Sequence, residues 1–189
     1  MKVFSLIVVI IILQASQNNL EDLEVDLNKS MVRWSGKAAF SNYTQKGTVR
    51  LDKINFRVEK NKMEELNAVA NMQSLYNENE DLTNHLKSED FFDTQRYPTA
   101  SFRSIESISL HNNTNGTIKG RLRIKGFEKL VSFKYEIKYM DKEILLKIKG
   151  GFDRTDYKVN HNSPSIFKDL KDNAVSDSIV FQTDLYFKN

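Results

Sequence analysis

The sequence contains no cysteine, and only two prolines and seven glycines among 189 residues. Without cysteine there can be no disulfide scaffold, thiolate zinc site, thiol nucleophile or iron–sulfur cluster, and no lipid-modified cysteine of a bacterial lipoprotein. Scarce glycine and proline argue against a collagen-like or disordered chain. Neither sign of charge dominates: 28 basic residues face 25 acidic ones for a net charge of +3, and basic residues form no long run. That balance gives no reason to expect a nucleic-acid partner. Walker loop, dinucleotide fingerprint and nucleophile elbow are all missing. No internal repeat or linker divides the chain, and beyond residue 13 no apolar run approaches the length of a membrane span. What is present is apolar and aromatic: 40% hydrophobic residues, with Phe used twelve times, suffice for a substantial single-domain core.

The N-terminus runs from a short positive region, Met1-Lys2, through an unbroken apolar run at residues 3–13, to the small and polar Gln14-Ala15-Ser16-Gln17. This is the order of a secretory signal peptide, and the run is too short to cross ~30 Å of hydrocarbon, which takes about 20 residues. We expect a signal peptide at 1–15, cleaved after Ala15 or Ser16, a short extension at 16–23 and one domain at 24–189. The alternative is an uncleaved anchor. The mature protein is expected to be periplasmic or secreted, and not integral to a membrane.

After residue 24 apolar and polar residues alternate, the period of a half-buried strand. Val32 and Trp34 share a face with Ser30. Val49 and Leu51 lead to Ile54, Phe56 and Val58 with a one-residue slip, which predicts a bulge near Asp52-Lys53. Further faces are Leu66/Ala68/Ala70/Met72, Ile118/Gly120/Leu122/Ile124, Val131/Phe133/Tyr135/Ile137/Tyr139, Ile144/Leu146/Ile148 and Ile179/Phe181/Thr183/Leu185/Phe187. Asn112-Asn113-Thr114-Asn115-Gly116 reads as a turn. About eight strands at hairpin spacing suggest an all-β sandwich or closed barrel. One stretch departs from this: acidic residues followed by Leu82 and Leu86, with Lys87 at the end, predict a short helix over 80–88. A second short helix is expected near 165–170.

The segment Asn84-His85-Leu86-Lys87-Ser88-Glu89-Asp90-Phe91-Phe92-Asp93, with Tyr97-Pro98-Thr99-Ala100-Ser101-Phe102 after it, resembles the signature of the YceI-like family, HL+S-x-DFFD-x-x-x-YP-x-A-x-F. Gly120-x-Leu122-x-Ile124-x-Gly126 is similar to its G-x-L-x-I-x-G strand, and Phe152-Asp153-Arg154-Thr155-Asp156-Tyr157 to its F-x-R-x-x-Y/F segment. Residues 26–34 resemble its first strand and 172–177 its late D-x-x-x-x-D turn, so the resemblance spans roughly 24–188. It implies an extended, lipocalin-like antiparallel barrel of eight strands with one or two short helices and a long apolar tunnel. It also implies export, an isoprenoid lipid or quinone as ligand, no catalytic cofactor, and a homodimer as a plausible assembly. The chain departs from the family pattern at Lys29, Ala38-Ala39-Phe40, Lys158 and Lys171, where many members have His, a second His, Gly and Gly; ligand contacts of those histidines are therefore in doubt.

Inward side chains of a small barrel either fill it or line a tunnel. Sequence alone favours filling, and the resemblance favours a tunnel walled by Trp34, Phe40, Met72, Leu75, Phe91, Phe102, Leu122, Ile124, Phe133 and Tyr135. His85, His111 and His161 lack the close spacing of a metal motif, so no metal is expected. Asp90, Asp93, Asp153 and Asp156, with Arg154 nearby, are acid–base candidates, and Arg154 with Asp153 or Asp156 reads better as a structural ion pair. The outward row Lys119, Arg121, Arg123, Lys125 reads as a solvated sheet face, with anionic lipid heads as the alternative. The expectation is a non-catalytic lipid-binding module. The alternatives are a filled-barrel stress-response or interaction module and, behind it, an enzyme acting on a lipid.

Overall fold

The computed structural model describes residue 20 and residues 23–40, 43–141, 143–168, 170 and 174–188. The expected leader and most of the extension lie outside the described residues. The elements are β1 (Glu24–Val25), β2 (Met31–Ala38), β3 (Thr44–Glu59), β4 (Lys62–Asn71), α1 (Glu80–Lys87), β5 (Thr99–Ser104), β6 (Ile108–Ser109), β7 (Asn115–Ile124), β8 (Phe127–Met140), β9 (Glu143–Asp153) and β10 (Val175–Lys188). Strands pair in the order β2-β3-β4-β5-β7-β8-β9-β10, and β10 pairs back onto β2. Every pairing is antiparallel, so eight strands form a closed barrel that leaves no long edge exposed. The stubs β1 and β6 add to β10 and β4.

Local chemistry sets the corners. The β3–β4 turn is Lys60-Asn61 (φ 50° and 60°) and the β7–β8 turn is Lys125-Gly126 (φ 48° and 81°). Both are two-residue turns with left-handed backbones, whose twist matches that of paired strands. The slip in β3 is real: the register against β4 shifts between Leu51 and Lys53, and again between Asn55 and Arg57, opposite Glu65 at φ 54°. The turn expected at 112–116 is shorter than its composition suggests, because Asn115 and Gly116 already pair with Glu136 and Tyr135.

Helix α1 begins at the cap Asn79, whose side-chain oxygen accepts from the Leu82 N–H at 3.0 Å, with Glu80 and Asp81 in the positive first turn. It buries Thr83 and Leu86 and ends at Ser88, whose N–H and hydroxyl both donate to the His85 carbonyl. The second helix expected near 165–170 does not form among the described residues. The Ser163 carbonyl accepts from both Ile166 and Phe167, closing a turn that goes no further, and the Ile166 and Phe167 side chains are about half exposed. Without a buried face, a helix that short cannot persist.

The β2–β3, β4–β5, β7–β8 and β9–β10 connections lie at one end of the barrel, with α1 in the β4–β5 connection. Toward the other end the barrel is packed solid. Met63, Leu66, Ile108, Leu110, Ile118, Ile137, Leu146, Leu185 and Phe187 are each at most 1% exposed. Each such side chain stabilises the fold by roughly 1.5–3 kcal/mol.

Candidate functional site: an apolar cavity under the helix

Between that packed half and α1 lies a cavity of about 170 Å³. Along β10 the alternate residues Ile179, Phe181, Thr183 and Leu185 line it. These span six residues of strand, ~20 Å at ~3.3 Å each, so the lining runs along much of β10. On the β2–β4 side the wall is mostly aliphatic, with Val32, Val49, Leu51, Leu66, Ala68 and Ala70 beside Trp34. On the β5–β10 side it is aromatic. Phe133 lies 5.4 Å from Phe102 and 4.8 Å from Phe181, ring centre to ring centre. Two glycines create room for these rings: a Cβ at Gly120 would collide with Phe102, and one at Gly150 with Phe133. The rings therefore lie against bare backbone instead of standing across the interior.

Leu75, Leu86, Phe91 and Phe92 close the helix end. The signature segment owes its position there to backbone bonds. The Phe91 and Asp93 N–H groups donate to the Ser88 carbonyl, Phe92 N–H to Leu86, and Lys125 Nζ donates to the carbonyls of Glu89 (3.0 Å) and Phe91 (2.7 Å). Arg154 is fully buried behind it. It donates to the carbonyls of Val159, Val175 and Ser176, lies 3.3 Å from the Asp177 carboxylate, and rests 5.9 Å from the Phe91 ring centre. Burial lowers its pKa, against the opposing charges of Asp177 and Asp153.

Of the ten expected wall residues, Trp34, Met72, Leu75, Phe91, Phe102, Leu122, Ile124 and Phe133 line the cavity. Phe40 and Tyr135 do not. Phe40 continues the even-numbered face of β2, but the strand ends at Ala38 and leaves its ring 70% exposed in the turn. Tyr135 points inward yet packs in the solid half, over Gly116, where a Cβ would sit 3.0 Å from its ring. Sequence reasoning missed Phe181 as a wall residue. It shares the alternation of Ile179 and Leu185, but its cross-strand partner is Trp34, a pairing that chain order conceals.

The wall is apolar apart from the Ser101 and Thr183 side chains and the Trp34 indole. Trp34 Nε1 is buried and has no hydrogen-bond partner among the described residues. Two of the acid–base candidates, Asp153 and Asp156, have structural roles. Asp153 accepts from the Thr155 N–H and hydroxyl at 2.8 and 2.7 Å, and Asp156 pairs with Lys129 at 3.2 Å. In the outward basic row, Lys119 pairs with Glu106 and Arg121 with Glu128, each at 3.2 Å. The three histidines are not all apart, as their spacing suggests: the His85 and His161 rings are 4.6 Å from each other, and only His111 stands elsewhere. Among the described residues no helix is long and apolar enough to cross a membrane.

Residues 23–187 match the YceI-like domain. The chain belongs to the YceI-like family. No curated protein compared with this YceI-like chain is similar to it in sequence. Among solved structures, BcnA of Burkholderia cenocepacia superposes with a TM-score of 0.71 at 20% identity, over 86% of this chain and 99% of BcnA. A polyisoprenoid binding domain from Saccharophagus degradans, implicated in plant cell wall breakdown, gives 0.65 at 11% identity over 88% and 97%. The Campylobacter jejuni YCEI protein gives 0.58 at 20% identity over 75% and 84%. At these identities the likeness is one of fold.

Proposed function

We propose that this YceI-like protein is an exported, non-catalytic binding protein that holds a long apolar lipid of the isoprenoid type inside the barrel. The observation that carries the reading is the cavity itself, apolar on nearly all sides and extended along β10. Cavities of ~150 Å³ lined by apolar side chains stay dry and accept hydrocarbon guests. About ten buried methylenes, at ~0.8 kcal/mol each, supply roughly 8 kcal/mol toward the cost of association, and a longer prenyl chain supplies more. Met72 and the mixed aromatic and aliphatic walls suit a kinked, methyl-branched chain. The unpaired Trp34 indole N–H favours a ligand that brings one acceptor, such as a quinone carbonyl or a prenol hydroxyl, since an unmet buried donor costs about 1–3 kcal/mol. Export is supported by the positive, apolar, small order of residues 1–17. The structural employment of Asp153 and Asp156 supports a non-catalytic role.

Trp34 is the only tryptophan of the chain and stands in the cavity wall, so its fluorescence reports on ligand entry there. Titration with a prenylated quinone should quench it saturably at one ligand per chain. Emission unchanged by quinones and prenols alike would remove the carrier reading and leave a filled barrel.

A further inference from the structure

Away from the apolar wall, the fold brings together side chains that the sequence keeps far apart. His85, on the last turn of α1, and Asp90, just after it, meet His161 of the β9–β10 connection. One ligand atom from each lies within 4.8 Å of those of the other two. His85 Nε2 is 3.8 Å from the Asp90 carboxylate. The imidazoles are edge to face, 4.6 Å between centres, and both pack on Phe91, at 5.0 and 4.9 Å. Phe91 backs the cluster and turns it toward solvent, where Asp90 is exposed and free to swing.

We propose that His85, His161 and Asp90 form a binding site for a divalent transition-metal ion, zinc in the first instance. Two imidazoles and one carboxylate are a zinc ligand set that leaves the fourth position to water. With bonds of 2.0–2.1 Å, tetrahedral ligand atoms stand ~3.4 Å apart. Binding therefore requires an inward movement of ~1 Å, within reach of side-chain rotation at partly exposed positions. Metal-bound imidazole must be neutral. Burial, together with the neighbouring His85, lowers the pKa of His161 and favours that form. Among the described residues the opposing charge that acts on His161 is Arg154, and it is matched by Asp177 at 3.3 Å. A bound ion would tie the α1 segment to the β9–β10 connection across the face of Phe91, whose other neighbours form the cavity.

The test is calorimetric titration of ZnCl₂ into chelator-stripped protein that carries no polyhistidine tag, at pH 7.5. The expected result is one saturable site per chain. H85Q and H161Q should each weaken binding at least ~100-fold, beyond the ~10–100-fold that loss of an outer-shell partner costs. D90N should weaken it less, and H111Q, at the far end of the barrel, should leave it unchanged. Circular dichroism of each variant confirms the fold, and the substituted side chains are partly or fully exposed. No saturable binding by the parent protein, binding that survives both H85Q and H161Q, or binding lost in H111Q would overturn the proposal. None of these outcomes depends on whether the barrel carries a lipid.

Discussion

A Cβ added at Gly150 would stand 2.2 Å from Cδ1 of the Phe133 ring, which is already held between Phe102 and Phe181. G150A must therefore push that ring toward the cavity, and overpacking of this kind costs about 1–3 kcal/mol. The expected outcome is a lower urea midpoint together with weaker quinone quenching of Trp34. Tyr157 behaves differently. It is 1% exposed, its hydroxyl has no partner among the described residues, and burial, with the nearby Asp156 charge second, pushes its pKa up to about 12. A raised pKa contributes stability that is complete below the ordinary value of 10 and is lost as pH rises through 12. Y157F should leave neutral stability intact or slightly higher, because it removes an unmet buried hydroxyl. It should also flatten the decline between pH 10 and 12, as read from unfolding midpoints across that range.

At the scale of elements, the α1 segment joins cap, helix and cavity. N79A removes the oxygen that accepts from Leu82 and should cost about 1 kcal/mol, checked by denaturant unfolding. Acid should loosen the same region. The lowered pKa of His161 means a contribution present above the ordinary value of 6.5 and lost as pH falls through the lowered one. Amides of 85–94 and 159–163 should therefore exchange faster at pH 5 than at pH 7.5 relative to the rest of the barrel, and H161Q should shrink that difference. The groups facing His161 are His85, Asp90 and Arg154. These elements also show what a sequence reveals. The inward sets of β7 to β10 and the bulge in β3 were legible because strand period is local, and α1 because caps and charges are local. That no helix forms near 165–170 among the described residues was not legible, because only packing decides so short a segment. The meeting of His85 with His161 was hidden for the same reason: it depends on the end of α1 and the β9–β10 connection folding over one Phe.

For the whole molecule, closure of eight strands is what allows an interior that is solid at one end and hollow at the other. Trp34, Phe102 and Phe133 could be named as wall from alternation and resemblance, whereas Phe40 and Tyr135 could not be excluded, since alternation tells inward from outward but not depth along the barrel. In the proposed function the hollow half holds a lipid. The most direct measurement is mass spectrometry of organic extracts from protein purified without detergent, beside A70F, which places a ring in the cavity from its aliphatic wall. About one apolar, isoprenoid-type lipid per parent chain, and little or none in a folded A70F, is the predicted result. An extract that stays empty even after incubation with prenyl lipids, or equal lipid in A70F, would contradict it.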